Sequence, residues 1–354
     1  MRAEMDEALL KAAHSGAYIM GPQVAELELQ LADYVGVKHC ITCANGTDAL
    51  RMSLLAIGLL PSETVFVPDF TFFASAEVVA LEGSIPVFVD VDSDTFNIDI
   101  DDLEVKYRDV LENGFVPRAV MAVDLFGQPA NYNELVSWCR SRSLILIEDG
   151  AQGFGGCIGK QRACSFGDIA TTSFFPAKPL GCYGDGGAIF TNNDLWAERL
   201  RSLRVHGKGT DKYDNLRFGF NSRLDTLQAA VLQVKMRHFD EELKAVNHVA
   251  ERDGELLQGK VKVPEVPEGF TSSWAQYTIQ TENRDELQAR LKAAGIPSMV
   301  YYPRTMSQQT AFAYYGLQPC PVAERLTKTV LSLPMHPYLT DEEIDRIISI
   351  VLTT

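Results

Sequence analysis

The chain has 354 residues, of which 46% are hydrophobic and 22% charged, an ordinary composition for a globular protein large enough to hold two domains. Its 47 acidic side chains outnumber the 32 basic ones, and the net charge of −15 excludes general binding to nucleic acid or to an anionic membrane, which requires a basic surface. No apolar run approaches the roughly 20 residues of a membrane span, and the charged N-terminus lacks the apolar core of a signal peptide, so we expect a cytoplasmic protein.

The first 205 residues alternate between strand-like and helical patterns. Residues recurring at helical spacing predict helices over 47–58, 72–83 and 131–143, and short β-rich runs predict strands over 64–68, 85–91, 119–126, 144–150, 168–175 and 186–192. Several of these runs are apolar throughout, which is typical of a sheet that is covered on both faces. The pattern therefore predicts an α/β fold with a mainly parallel central sheet and helices on both faces.

The remainder of the chain is mostly helical and predicts a second, smaller domain. A long helix is expected from about Arg223, followed by a joint rich in proline and glycine at 263–270. Beyond the joint, the patterns predict strands over 274–281 and 297–302 and helices over 284–295 and 341–352. We expect a large domain over residues 1–241 and a small C-terminal α+β domain over 242–354.

The cysteines do not form a recognisable framework of disulfides or metal ligands. Their number is odd, at seven, and they are scattered along the chain. Cys40 and Cys43 form a C-x-x-C, but they stand in a strand-like run whose period of two places them on opposite faces. No second pair lies at zinc-ligand spacing, so we expect buried apolar side chains and no metal.

Two polar stretches stand at the ends of predicted strands. In ANGTDAL, residues 44–50, Gly46 allows close approach and either Asn45 or Thr47 can cap the following helix, whose N-terminus is then an anion site. A plain helix cap gives the same pattern. In LILIEDGAQGFG, residues 144–155, the strand ends in Asp149, a carboxylate suited to stabilise a protonated ring nitrogen. A strand followed by a polar turn is the alternative.

A lysine in an unusual setting is the third feature. In SFFPAKPLGCYGDGG, residues 173–187, Lys178 lies between Pro176 and Pro179, which disfavour a helix, and before a run of glycines that leaves space for another group. Partial desolvation of such a lysine would lower its pKa toward the neutral, nucleophilic form. The alternative is a surface loop lysine.

A fourth stretch, FGFNSRLDTLQAA at 218–230, places Asn221 and Arg223 at a helix start, where they serve as caps or as ligands. No dinucleotide fingerprint competes, because the glycines at 181–187 precede a strand rather than a helix. An anion site, an edge carboxylate and an apolar lysine together fit pyridoxal phosphate bound as a Schiff base.

These motifs, together with FTFFA at 70–74, resemble those of the DegT–StrS sugar-nucleotide aminotransferases in identity and order. The resemblance runs over nearly the whole chain and implies the fold of type I pyridoxal-phosphate transferases. It is closest to the branch acting on UDP-linked 3-keto or 4-keto sugars, such as UDP-2-acetamido-2-deoxy-3-keto-hexuronic acid. It implies a ping-pong transfer of an amino group from glutamate to the sugar ketone, with pyridoxamine phosphate between the two halves, in the synthesis of precursors for surface polysaccharides such as O-antigen.

The resemblance also implies a role for individual residues. Lys178 would form the Schiff base and move the proton, and Asp149 would pair with the ring nitrogen. The other implied contacts are Gln152 with the ring hydroxyl, Phe72 stacked on the ring, Gly46, Thr47, Asp48 and Ser173 at the phosphate, Asn221 at the phosphate of a partner subunit in a homodimer, and Arg223, Tyr301 and Tyr302 with the substrate.

The sequence departs from the family pattern in the loop that contacts the substrate. Where relatives often have His-Tyr-Pro and later Pro-Leu-His, this chain has YYPRTMSQQ at 301–309, with Tyr301, Thr305 and Ser307 at those places. Asp124 also stands where histidine or serine is common. Two other functions stay open, a pyridoxamine-dependent sugar dehydratase and a non-catalytic binding or regulatory protein. Lys178 argues against the dehydratase, which lacks that lysine, and the intact motifs argue against a non-catalytic protein.

Overall fold

The computed structural model of the protein describes residues 1–211, 213–315 and 320–353. Its helices are α1 (Arg2–Ser15), α2 (Pro22–Val35), α3 (Gly46–Ala56), α4 (Phe73–Leu81), α5 (Ile100–Glu112), α6 (Tyr132–Ser141), α7 (Asp194–Leu203), α8 (Thr226–Met236), α9 (Phe239–Leu257), α10 (Arg284–Ala293), α11 (Pro321–Thr329) and α12 (Asp341–Leu352). Its strands are β1 (His39–Cys43), β2 (Glu63–Pro68), β3 (Ile85–Val89), β4 (Val116–Val123), β5 (Ile145–Asp149), β6 (Cys157–Ile158), β7 (Gln161–Arg162), β8 (Ile169–Ser173), β9 (Gly187–Thr191), β10 (Phe270–Thr271), β11 (Tyr277–Gln280) and β12 (Val330–Leu333). Within these residues, no helix combines the length and apolarity that crossing a membrane requires.

The central sheet has seven strands in the order β1-β9-β8-β5-β4-β2-β3. Strand β9 runs antiparallel to both of its neighbours, while the strands from β8 to β3 pair in parallel. Successive residues of β5, Leu146 and Ile147, are buried in hydrophobic clusters on opposite faces, and so are Cys40 and Cys43 of β1. The predicted mainly parallel sheet, covered on both faces, is confirmed.

The carboxyl ends of the parallel strands place acidic side chains along one edge of the sheet. Asp69 follows β2, Asp90 follows β3, Asp124 follows β4, and Asp149 ends β5. All four are buried. Because ligands of open α/β sheets bind beyond this edge, the strand ends position the candidate site.

The C-terminal segment builds a small sheet and also returns to the large core. Strands β11 and β12 pair antiparallel, and their side chains share a hydrophobic cluster with those of α9, α10 and α12. By contrast, Met306 and Phe312 are buried in the cluster that fills one face of the central sheet. The predicted boundary between residues 241 and 242 falls inside α9 and stays a prediction.

Two predicted elements are wrong. The long helix expected from Arg223 is two helices, α8 and α9, which are separated at Arg237 and His238. Since α8 packs on α1 and α2 whereas α9 packs on α12, one straight helix would not reach both surfaces. The strand expected over 297–302 is reduced to a single bridge between Met299 and Ser332, because Pro297 lacks the N–H that a ladder needs.

Candidate active site

Lys178 lies in a turn between β8 and β9. Its backbone N–H donates to Phe175 O at 2.8 Å, and the segment is not helical, as the flanking prolines predict. Burial lowers the pKa of the Lys178 ammonium, and the charge of Asp149 opposes that shift. The site therefore contains a lysine that is more readily deprotonated than one on the surface.

Asp149 is a buried carboxylate held by neutral donors. Its Oδ2 accepts a hydrogen bond from Ser75 Oγ at 2.7 Å and its Oδ1 accepts one from Ala151 N at 3.2 Å. Burial raises the pKa of Asp149, while both donors and the charge of Lys178 lower it. Within the described residues Asp149 has no salt bridge, so its charge is free to act on a cationic group of a ligand.

Two more acidic side chains lie behind Asp149. Asp124 Oδ1 accepts from Tyr132 Oη at 2.7 Å and from Ala130 N at 3.1 Å, and Glu148 accepts from backbone N–H groups of residues 164, 166 and 167. Burial raises the pKa of Asp124 well above its usual value and that of Glu148 to about 7. Of these three, only Asp149 lines the cavity described below.

The N-terminus of α3 forms a second part of the site. Asn45 caps this helix, because its Oδ1 accepts from Asp48 N at 2.7 Å. A Cβ on Gly46 would come within 2.8 Å of Ser173 Cβ, so the two segments approach as closely as only glycine permits. The backbone N–H of Asp48, which is expected at the phosphate, donates to this cap, and the role of Asp48 in binding stays a prediction.

Gln152 joins the strand edge to the loop after residue 300. Its Oε1 accepts from Phe126 N at 2.6 Å, and its Nε2 donates to Tyr302 Oη at 3.1 Å. The Tyr302 ring lies 6.3 Å from that of Phe72, and burial raises the pKa of its hydroxyl. The loop therefore closes one wall of the site.

These side chains surround one cavity of about 480 Å³. It is lined by nine of the residues predicted from the sequence, namely Gly46, Thr47, Phe72, Asp149, Gln152, Ser173, Lys178, Tyr301 and Tyr302. Asp48, Asn221 and Arg223 are not among the lining residues. Asn221 is exposed and pairs with Val205 through the backbone.

The cavity also contains polar residues that the sequence analysis missed. Ser75 contacts Asp149, and Gln276 lines the wall with an Oε1 that has no hydrogen-bond partner in the described chain. Ser75 lies in an apolar helical run and Gln276 in a strand-like one, so neither carried a local signal. The one available signal was the spacing of three residues between Phe72 and Ser75, because residues three apart lie on the same side of a helix.

Comparison with known sequences gives a family and named relatives. The profile of the DegT/DnrJ/EryC1/StrS aminotransferase family matches residues 1–352. The chain is 44% identical to the UDP-2-acetamido-2-deoxy-3-oxo-D-glucuronate aminotransferase of Pseudomonas aeruginosa, over 100% of this chain and 96% of the relative. It is 38% identical to the UDP-N-acetyl-3-dehydro-alpha-D-glucosamine 3-aminotransferase of Acidithiobacillus ferrooxidans, over 100% and 94% of the two chains.

Solved structures agree with the fold. A DegT DnrJ EryC1 StrS aminotransferase from Brucella abortus superposes with a TM-score of 0.97 at 49% identity, covering 99% of this chain and 95% of the other. NtdA from Bacillus subtilis with bound cofactor PMP superposes with a TM-score of 0.89 at 29% identity, covering 99% and 80%. The fold is that of this group of transferases.

Proposed function

Because the chain belongs to the DegT/DnrJ/EryC1/StrS aminotransferase family and is an aminotransferase, we propose that it transfers an amino group from glutamate to the keto group of a UDP-linked 2-acetamido-2-deoxy-3-keto sugar. The observation that carries this proposal is the placement of Lys178 and Asp149 in one cavity, with the N-terminus of α3 in its lining. Two relatives that cover the whole chain bear the names of UDP-3-keto-sugar aminotransferases, which supports amination at C3. The product would serve as a precursor of surface polysaccharide, such as O-antigen.

The cavity fits pyridoxal phosphate, with pyridoxamine phosphate as the alternate form. The buried carboxylate of Asp149, which accepts from neutral donors and forms no salt bridge among the described residues, suits a protonated ring nitrogen. Gly46, Thr47 and Ser173 would hold the phosphate at the start of α3, where helix N–H groups and the dipole favour an anion. Phe72 and Gln152 would contact the ring. When bound, the cofactor supplies an electron-withdrawing ring and a carbon that carries the amino group between substrates.

The residues of this chain account for the proton transfers. Lys178 Nζ takes a proton from the carbon that bears the donor's amino group, and later delivers one to the sugar carbon. Burial favours its neutral form, which a base must have. Ser75 Oγ and Ala151 N donate to Asp149 and so favour its charged form, which burial disfavours. Tyr301 and Tyr302 form the wall that we assign to the sugar.

We also propose a homodimer with shared active sites. Asn221 and Arg223 are absent from the cavity lining of their own chain, which agrees with a role toward a partner subunit. Phe218 is fully exposed, and Phe175 and Tyr183 are half exposed or more. Large apolar side chains in this setting favour an interface. The cytoplasmic location stays a prediction.

The substrate assignment is tested with a panel of nucleotide-linked keto-sugars and glutamate. We expect a 3-amino product only when the UDP-linked 3-keto sugar and glutamate are both present, as read by mass spectrometry and by release of 2-oxoglutarate. Amination of a 4-keto sugar in preference would contradict the C3 assignment. A product that has lost water, formed without consumption of glutamate, would instead identify a dehydratase.

A further inference from the structure

The ends of β2 and β3 carry two buried carboxylates that do not line the cavity. Asp69 and Asp90 are 0% and 6% exposed, and they are brought side by side because Asp69 N donates to Val89 O at 2.8 Å. A carboxylate taken out of water is costly unless donors satisfy it. Asp90 Oδ1 accepts from its neighbour Val91 N at 2.9 Å, and both side chains also accept from donors in the C-terminal third of the chain.

Asp69 is bonded through three of its atoms to two consecutive residues. Its Oδ1 accepts from Ser307 N at 2.6 Å, its Oδ2 accepts from Ser307 Oγ at 2.8 Å, and its backbone O accepts from Met306 N at 2.8 Å. Thr305 Oγ1 lies 2.9 Å from Ser307 Oγ and is itself buried. Ser307, one of the three loop residues that depart from the family pattern, thus bonds Asp69 directly, and Thr305, another of them, bonds Ser307.

Asp90 holds the start of α11. Its Oδ2 accepts from Val322 N at 2.9 Å and its Oδ1 accepts from Ala323 N at 2.8 Å. These N–H groups belong to the first turn of the helix, where they lack partners within the helix and where the dipole favours an anion. Asp90 therefore acts as a cap supplied from a distant part of the chain.

Together, these contacts fix the loop that forms the sugar-facing wall. We call the contacts of Asp69 and Asp90 with residues 306, 307, 322 and 323 the carboxylate clamp. Tyr301 and Tyr302 lie a few residues before Ser307, and Tyr302 Oη accepts from Gln152. Met306, inside the clamp, is 2% exposed in the large hydrophobic core. The loop is thus anchored to the central sheet rather than only to the small sheet.

We propose that Asp69, acting through Ser307, is a positioning residue that sets the place of Tyr301 and Tyr302 and thereby the enzyme's selectivity for the keto-sugar. The proposal rests on the proposed function, since it assigns these tyrosines to the sugar. Asp149 ends β5 and Lys178 lies in the turn after β8, so both are outside the clamp. Loosening the clamp should therefore impair the half-reaction with the sugar and spare the one with glutamate.

The test compares the two half-reactions in Ser307→Ala, with Ser307→Thr as the conservative variant. In Ser307→Ala we expect the KM for the keto-sugar to rise about tenfold, the scale of a lost hydrogen bond to a charged group. The rate at which glutamate converts the cofactor, followed by absorbance, should change less than about twofold. Ser307→Thr retains the hydroxyl and should restore most of the sugar KM. Ser137→Ala, at an exposed serine of α6, is the matched control and should resemble wild type.

Hydrogen exchange of the protein without substrate gives a readout that does not depend on activity. Amides of residues 299–312 should exchange faster in Ser307→Ala than in wild type, whereas those of β5 and β8 should not change. Asp69→Asn, which retains the side chain's shape, should show the same pattern and guards against a folding defect in the first variant. In the double variant Asp69→Asn/Ser307→Ala, the loss of sugar binding, expressed as a free energy from KM, should be smaller than the sum of the losses in the two single variants.

Three results would overturn the proposal. They are an unchanged sugar KM in Ser307→Ala, an equal loss in both half-reactions, and a failure of Ser307→Thr to restore the KM. Faster exchange without a change in KM would likewise refute a role in selectivity. If wild type converts its cofactor with glutamate but aminates no keto-sugar, the proposed function fails, whereas the exchange experiment still decides whether the clamp holds the loop.

Discussion

The hydroxyl of Ser75, which the sequence did not reveal, is one of the groups that favour the charged form of Asp149. Ser75 Oγ donates to Asp149 Oδ2 and so favours the charged carboxylate, which burial alone would disfavour. In Ser75→Ala the pKa of Asp149 should rise. The acidic limb of the pH profile of the glutamate half-reaction should then move upward by about one pH unit, as one hydrogen bond of about 1.4 kcal/mol predicts.

Ser53→Ala is the control for that change. Ser53 is buried in α3 and donates to Ala49 O at 2.8 Å, away from Asp149. The Ser53→Ala substitution should lower the stability of the protein without moving the acidic limb of the pH profile. An acidic limb that stays in place in Ser75→Ala would refute the role of this hydroxyl.

Asp253 gives a prediction about stability rather than catalysis. It lies in α9 and is 2% exposed, and burial raises its pKa from 3.8 to about 7. The folded protein therefore binds a proton at this site more tightly than the unfolded chain does, so the stability from this group is complete below about pH 4 and is lost as the pH rises through about 7. The Asp253→Asn variant has no carboxyl group to ionise at this buried position and so does not lose stability as the pH rises. It should be more stable than wild type at pH 8, by on the order of 2 kcal/mol.

Urea unfolding of both proteins at pH 4.5, 6 and 8 measures this difference. Glu251→Gln, at an exposed position of the same helix, should show no such dependence. A difference between Asp253→Asn and wild type that is constant across this pH range would contradict the assignment.

At the scale of single residues, the sequence located most of the cavity. Lys178, Asp149 and Gly46 each stand in a short sequence motif whose neighbouring residues indicate a functional role. All three line the cavity. Their catalytic and binding roles stay predictions. Gln276 was missed because its place in the cavity depends on how the C-terminal segment folds back. The cap of Asn45 on Asp48 N was not predicted, because it depends on side-chain geometry.

At the scale of elements, the contact between α3 and β8 controls the anion end of the cavity. A Cβ at residue 46 would lie 2.8 Å from Ser173 Cβ, closer than real Cβ contacts, so Gly46→Ala must move α3 or β8. We expect the Kd for pyridoxal phosphate to rise about tenfold or more, because a displaced helix start no longer aims its N–H groups at the phosphate. Fluorescence titration with the cofactor measures this.

Gly254→Ala is the matched control. Gly254 lies in α9, where a Cβ would be 3.7 Å from Tyr277 Oη, an ordinary contact. Its cofactor affinity should equal that of wild type. Wild-type affinity in Gly46→Ala as well would show that the close approach of the two elements does not matter for binding.

The elements of the central sheet were predictable because their strands are apolar on both faces and short, whereas in the C-terminal part the predictions agree with the structure only for β11, α10 and α12. Helices α8 and α9 are separate because they pack on different surfaces of the protein. Met299 forms only a single bridge where a strand was predicted. Helix α11 is capped by Asp90 from across the molecule, so no local cap marks its start. Long-range contacts of this kind leave no period or spacing in the sequence.

At the scale of the whole molecule, the proposed homodimer predicts complementation between inactive subunits. Lys178→Ala removes the base, and Asn221→Ala removes the residue that we assign to the partner's phosphate. A mixed dimer contains one site with both residues intact, so mixing the two inactive proteins should restore up to about a quarter of wild-type activity if subunits assort at random.

Subunit exchange is verified by mass spectrometry of differently tagged chains. Mixing Lys178→Ala with tagged Lys178→Ala is the control and should restore nothing. No recovery despite proven exchange would show that each active site is built from one chain alone.

The proposed function requires that pyridoxal phosphate attaches covalently to Lys178, and borohydride reduction makes such an attachment permanent and detectable. The protein is incubated with the cofactor, reduced with borohydride, digested and analysed by peptide mass spectrometry, with Lys178→Ala treated in parallel. We predict a phosphopyridoxyl adduct on Lys178 of the wild-type protein and none on any lysine of the variant. Absence of the adduct from Lys178, or an equal yield on another lysine in Lys178→Ala, would show that Lys178 is not the attachment point.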